Sequence, residues 1–400
     1  LALEFLTDNA IIYVLIAWVA IIITAKALKL ERYGFELKAY SLVYKNKQVQ
    51  SALTRMLGRT RRGIRVFADV SVIAGFAMMG FAFWFLLANV SNFFVEPTKF
   101  SELTVLIPGV TLTSSMSITY FLLSIPIVLV IHEGAHGIVA TLEKIKIKTG
   151  GFAIFIAMFA GFVEPDEEEF NKAKKISKLR VIGAGATSNV IFALALGVVL
   201  LTNPFFAMVL PEPLLSTFYD LPEGVMVLSV MEGFGAEKAG ILANDIITAI
   251  NGVPMLSPVD FAKVELNPGD TANVSILRDG QSMDFAVDIM PSPDDSERGL
   301  IGIMRDNTFG YQPVMDWIEW NNPQFSMFLL WLWMISFFIG IINMLPLPIL
   351  DGGKFVHTII DKNISEKAVN GVMWGIYAFT FALFGLNIAL SYIKSGWFTI

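Results

Sequence analysis

The stretch MSITYFLLSIPIVLVIHEGAHGIVATL, Met116–Leu142, is apolar over a length that crosses a bilayer, yet it carries His132, Glu133 and His136. About 20 apolar residues suffice to span the hydrocarbon core as a helix. A charged side chain at the centre of such a helix costs at least about 2.5–3.5 kcal/mol, so these groups are in hydrocarbon for a reason. On a helix, His132 and His136 are four residues apart and point the same way. Both imidazoles can then reach one ion, with Glu133 displaced to one side of them.

The remainder of the chain fits a membrane setting. Of its 400 residues, 55% are hydrophobic and 16% charged. Six segments are long and apolar enough to be predicted spans: Ala10 to Ala25, Val66 to Phe94, Met116 to Leu142, Ile182 to Leu201, Phe325 to Leu345 and Val369 to Ile393. The connection 26–65 holds eleven Lys or Arg against Glu31 and Glu36, and by the positive-inside rule it is cytosolic. The connection between the third and fourth spans is also basic, with Lys144, Lys146, Lys148, Lys172, Lys174, Lys175, Lys178 and Arg180, and must share that side. Residues 203–323 then fall on the opposite face, outside or luminal, with eighteen Asp or Glu against five Lys or Arg. Ala25-Lys26-Ala27 resembles a signal cleavage site, but Glu4 and Asp8 stand where a signal is basic, so the first segment reads as a retained helix. The expected organisation is a transmembrane region 1–202, an extracytosolic region 203–323 and a transmembrane region 324–400.

Within the extracytosolic region, about 221–291, apolar blocks give way to alternation: GVMVLSV, DIITAINGV and ANVSILRDGQSMDFAVDI. Asn251-Gly252 and Asp279-Gly280 are tight-hairpin dipeptides flanked by β-branched residues. This region is predicted to be a small β-rich domain. Its segment Phe234–Gly252 resembles the core of a PDZ domain, a fold that captures peptides by strand addition. The resemblance puts a peptide-binding loop near Gly224 and Val225. The alternative role is a rigid plug that controls access.

With no cysteine in the chain, a transition metal must be held by imidazole and carboxylate. Two histidines leave a protein zinc site one ligand short. The candidate lies in NMLPLPILDGG, Asn343–Gly353, where Pro346 and Pro348 stop a helix from continuing. Irregular backbone at membrane depth is tolerated only where it lines a protein interior or a watery cavity. Asp351 is therefore placed to be a ligand; otherwise it is an ordinary loop aspartate. The apolar segment Gly150–Pro165 is too short to span and reads as re-entrant, either a strand edge for pairing or a loop packed beneath the helices. Asp69 is expected at the headgroups, His357 at the interface and off the ligand face, and Trp317, Trp320, Trp331 and Trp333 in the outer aromatic belt. Nothing in the basic connections points to nucleic acid.

HEGAH in one helix, Gly185-Ala-Thr-Ser-Asn189 in the next and NMLPLPILDGG later resemble the site-2 protease family of intramembrane zinc proteases, in the branch with a PDZ domain before the last motif. The resemblance covers roughly residues 116–360. It implies a membrane α-helical fold and one zinc ion bound by His132, His136 and Asp351, with Glu133 as general base. The implied reaction is hydrolysis of a peptide bond within the transmembrane helix of a membrane-protein substrate. Asn189 and Asn343 fall on asparagines that the resemblance assigns to substrate or oxyanion positioning; interhelical hydrogen bonding is the alternative. Ala186 departs from the Gly-Pro common in that motif. Counting back from Lys144 at 1.5 Å per residue puts His136 and His132 roughly 12–18 Å from the cytosolic helix end, so water must enter from that side. Two readings from other classes compete: a metal transporter using the same three ligands, and a catalytically silent relative.

Overall fold

The computed structural model describes residues 10–395 except 109, 156–157, 221–222, 257, 293–296, 305–310, 312, 316, 319, 321 and 361–364. Glu4, Asp8 and the first two residues of the Leu221–Gly224 loop thus lie outside the described residues. The chain divides into two compact units, one of residues 1–194 and 332–400, the other of residues 195–331.

The first unit begins with the apolar helix α1 (Ala10–Ala27) and a hairpin of β1 (Phe35–Lys38) and β2 (Ser41–Asn46). Helix α2 (Val49–Val95) follows, then α3 (Ser115–Leu142), strands β3 (Ile147–Phe155) and β4 (Met158–Pro165), the short α4 (Glu167–Lys172) and α5 (Lys175–Leu200). Five helices among the described residues are long and apolar enough to cross a membrane: α2 from Thr60, α3, α5 and the two long C-terminal helices. These match five of the predicted spans. The sixth, α1, has 18 residues. Its Trp18 is buried and donates from Nε1 to the carbonyl of Ala39 at the hairpin tip, 2.9 Å away.

The predicted re-entrant segment is a hairpin, and it does not stand alone. It joins the hairpin 35–46, in what the sequence presents only as a basic connection, to make one antiparallel sheet in the order β1-β2-β3-β4. Alternation drives this, since one face of the sheet stacks Phe35, Tyr44 and Phe152 with ring centroids 4.9–6.1 Å apart. Strand β4 is left at the edge, packed along α3.

The predicted cytosolic ends of α2, α3 and α5 are tied by a charge chain. Glu143, at the C-cap of α3, accepts from Arg65 (3.1 Å), Arg180 (3.2 Å) and Ser177, and Arg180 also holds Asp69 (2.8 Å from Nε). Asp69 is therefore an ion-pair partner as well as a boundary residue. Glu143 is 7% exposed and serves three donors, whereas Asp69 is 52% exposed. Glu143→Ala removes the shared acceptor of Arg65, Arg180 and Ser177, leaving Arg180 with Asp69 alone, and should destabilise by about 2 kcal/mol. Asp69→Ala loses a solvent-screened pair worth at most about 1 kcal/mol. Melting in detergent checks this; equal midpoints for the two variants would refute it.

Among the described residues, the second unit contains two short α-helices, α6 (Glu212–Phe218) and α7 (Gly235–Ala239), and nine strands: β5 (Val225–Met226), β6 (Ser229–Val230), β7 (Ile246–Ile250), β8 (Val253–Pro254), β9 (Thr271–Arg278), β10 (Gln281–Asp288), β11 (Met290–Pro291), β12 (Gly299–Leu300) and β13 (Ile303–Met304). The main sheet runs β10-β9-β7-β5 with β8 on β7, and its core includes Ile247, Ile250, Val274, Ile276 and Val287, all fully buried. Both predicted hairpin dipeptides have left-handed backbones, Asn251-Gly252 at φ 51° and 77° and Asp279-Gly280 at φ 50° and 75°. The predicted peptide-binding position is closed. Val225 is fully buried and paired with Ile247, while a cavity of about 330 Å³ opens between residues 261–266 and 298–303.

The chain continues with α8 (Pro323–Asn343), within which the first unit resumes at Leu332, then α9 (Asp351–Ile360) and α10 (Glu366–Ser395). Trp331, in α8, is buried and so leaves the predicted aromatic belt. Trp320 donates its indole N–H to Thr202.

Candidate metal centre

Three elements bring the site together. Helix α3 carries His132 and His136 one turn apart, with Glu133 between them. Helix α8 stops at Asn343, seven irregular residues follow, and α9 starts on Asp351. The two prolines predicted that break. The turn then folds tightly back on itself: a Cβ at Gly352 would lie 2.2 Å from the carbonyl oxygen of Met344, so a side chain there would displace Asp351. Helix α5 forms the third wall.

Asp351 Oδ2 lies 3.1 Å from His132 Nε2 and 3.1 Å from His136 Nε2, and the two Nε2 atoms are 3.2 Å apart. His132 and Asp351 are buried, and His136 is nearly so. The orientation of His136 is fixed. Its Nδ1 is 2.7 Å from the carbonyl oxygen of Val181, which can only accept. The ring hydrogen therefore sits on Nδ1 and a lone pair on Nε2.

Such a donor set fits a single zinc ion. Tetrahedral zinc with bonds of about 2.0–2.1 Å to nitrogen and oxygen sets its donors roughly 3.3–3.4 Å apart, close to the triangle found. An imidazole lone pair facing a carboxylate oxygen at 3.1 Å is repulsive without a cation between them. Helix α5 leaves the necessary gap, because a Cβ on Gly185 would lie 2.3 Å from His136 Nε2 and 2.7 Å from His132 Nε2. Among the described residues this is the group of three such ligands able to meet at one ion.

Glu133 lies beside the triangle and is not a member of it. Its Oε2 accepts from the backbone N–H of Val163 on β4, 2.9 Å away. That N–H belongs to the outermost strand of the sheet, so the carboxylate links the helix of the two histidines to the edge strand. Asn189 is fully buried, with its amide 3.2 Å from His132 Nδ1. Asn343 closes α8 half-buried and makes no hydrogen bond to the three ligands among the described residues. His357 is exposed on α9, outside the cluster. Two participants escaped the sequence reading, the Val181 carbonyl and the Val163 N–H. Both are backbone groups, which every residue has.

The family model described as peptidase family M50 matches residues 120–383, more than half of the chain. An uncharacterized protein of Methanocaldococcus jannaschii is 27% identical over 233 residues, 58% of this chain and 54% of that protein. The chain thus spans about half the length of that relative. A probable periplasmic serine endoprotease, DegP-like, of Rhizobium meliloti is 38% identical over 76 residues, 18% of this chain and 15% of that protein. Among solved structures, the PDZ domain of an SdrC-like protein of Listeria innocua is 28% identical and covers 22% of this chain and 98% of that domain, with a TM-score of 0.18. Because the family match runs through the HEGAH helix, the Asn189 helix and the Asp351 turn, the chain belongs to peptidase family M50, the membrane-embedded zinc metallopeptidases of site-2 protease type.

Proposed function

We propose that the chain is an intramembrane zinc endopeptidase that hydrolyses a peptide bond within a transmembrane helix of its substrate. One observation supports this most: a three-donor metal cluster with a carboxylate next to it that is not a ligand and that faces an open strand edge. His132, His136 and Asp351 would hold the ion. Zinc bound there supplies Lewis acidity, acidifying water and polarising a carbonyl oxygen. Glu133 takes the proton of the attacking water as its oxygen bonds to the carbonyl carbon. It then returns that proton to the amine nitrogen as the carbon–nitrogen bond breaks.

A helical substrate hides its carbonyls in internal hydrogen bonds, so it must unwind before attack. The free edge of β4 offers replacement backbone partners by strand addition. The strand beside the three donors ends in the charged segment 164–180, and by the positive-inside rule this basic side, from which water would reach the site, is cytosolic. The cavity between residues 261–266 and 298–303 is where that unit would receive a peptide, in place of the Gly224–Val225 position.

Incubation of the purified protein with a panel of single-span substrates, with and without a zinc chelator, tests the reading. Cleavage should stop on chelation and return when zinc is restored. Cleavage indifferent to the chelator would end the proposal.

A further inference from the structure

Asn189 lies wholly inside the protein with its side-chain amide against the ring of His132, Nδ2 placed 3.2 Å from Nδ1. The amide oxygen makes no hydrogen bond, so nothing but His132 decides which way this amide faces. His132 decides it firmly. Its Nε2 converges with His136 Nε2 on Asp351 Oδ2, and a ligating nitrogen keeps its lone pair, which puts the hydrogen of the neutral ring on Nδ1. That Nδ1–H needs an acceptor, and an NH2 group is not one. Among the described residues Nδ1 makes no other hydrogen bond.

Exchanging the amide oxygen and nitrogen by a half-turn barely changes the side chain's shape, and it supplies the missing acceptor. We infer that Asn189 is a positioning residue for His132: its Oδ1 accepts from Nδ1–H and so fixes the tautomer and aim of the metal-binding nitrogen. The two histidines are then built alike, His136 donating to the Val181 carbonyl and His132 to the Asn189 amide. Asn189 is itself held, because its main-chain oxygen accepts from Ser336 Oγ at 2.9 Å. The spacing from Gly185 also gains a reason. Residues four apart share one face of α5, so the glycine leaves room in front of the Nε2 atoms while the asparagine, one turn on, reaches behind the ring of His132.

This inference rests on the metal reading above, and the experiment separates the two. Zinc affinity is measured by chelator competition on the full chain in detergent. Asn189→Ala should bind zinc about 10–100-fold more weakly, and Asn189→Asp, which keeps an oxygen acceptor, should stay within about threefold of wild type. A contact with substrate alone would instead leave zinc affinity unchanged and lower turnover. As the chain has three histidines, [15N]histidine spectra of the zinc-loaded wild type are simple, and His132 should carry its hydrogen on Nδ1. The inference is overturned if Asn189→Ala holds zinc like wild type, if Asn189→Asp fails as badly as the alanine variant, or if Nδ1 of His132 bears no hydrogen. Should the alanine variant not fold, Asn189→Asp still decides, because loss of zinc affinity in a variant that keeps the acceptor overturns the inference. A wild type that takes up no zinc overturns the metal reading itself.

Discussion

Glu133→Gln is expected to abolish peptide hydrolysis while leaving the metal centre able to load. Glutamine has nearly the same volume, and its amide oxygen can still accept from the Val163 N–H that now holds the carboxylate at 2.9 Å. The three donors at 3.1–3.2 Å from one another are untouched. In the proposed role, what disappears is the ability to take a proton from water and return it to the leaving amine, a contribution of about 10²–10⁴ in rate. Cleavage of a single-span substrate should fall by at least that lower bound, with zinc per chain unchanged by elemental analysis. A metal transporter built on the same ligands would not respond in this way, because Glu133 holds no metal in either reading. A catalytically silent relative would show no cleavage even in the wild type. Retention of more than about a tenth of the wild-type rate would remove Glu133 as the base. Loss of zinc together with activity would make it a ligand.

How much of this was legible in the sequence depends on whether a signal lies in side-chain order or in the backbone. The histidine pair was readable from a spacing of four on a helix, and Asp351 from the prolines that end α8 before it. Their meeting across 215–219 residues was not a matter of pattern. It came from the family resemblance, and the geometry of the fold reproduces it. The groups that aim the site, Val181 C=O and Val163 N–H, have no side-chain signature and emerged only when α5 and β4 were laid against α3. The hairpin 35–46 was hidden for a different reason. Its alternation, Phe35 and Leu37 against Leu42 and Tyr44, is short and interrupted by lysines, so net charge is the stronger signal in that connection. Without its partner strands the re-entrant segment looked like an isolated loop. In the sheet, β2 and β3 lie behind β4, which leaves one edge free on the side of Glu133.

The outer β-rich unit shows the opposite balance. Turn chemistry at Asn251-Gly252 and Asp279-Gly280 was decisive locally, since positive φ is demanded by a two-residue hairpin and both dipeptides adopt it. Which edge remains open is a global property of strand order. Val225 looked available as one residue of a loop, but pairing with Ile247 closes it. The corresponding cavity is built from residues 298–303, beyond the span that alternation had marked as the domain.

Gly185→Ala should empty the metal centre. The added methyl would sit 2.3 Å from His136 Nε2 and 2.7 Å from His132 Nε2, well inside any van der Waals approach, and it would occupy the side of the triangle that α5 leaves open. Relief requires one of the rigid parts to yield. The His136 ring cannot swing away without breaking its bond to Val181, and the His132 ring is backed by the buried amide of Asn189. Helix α5 is pinned on its other side, where the oxygen of Asn189 accepts from Ser336. In helix propensity alone, alanine is favoured over glycine by about 1 kcal/mol, so the backbone of α5 has no reason of its own to reject the change. The expected result is therefore specific to the site: zinc affinity lower by about 100-fold, with hydrolysis lost in parallel. Gly134→Ala supplies the control. It lies between the two histidines on α3, and a Cβ there meets nothing within 4 Å. It should load zinc as the wild type does and melt no lower. If Gly185→Ala keeps its zinc, the gap beneath α5 is not where the ion sits, and the three donors have been assigned to the wrong ligand geometry.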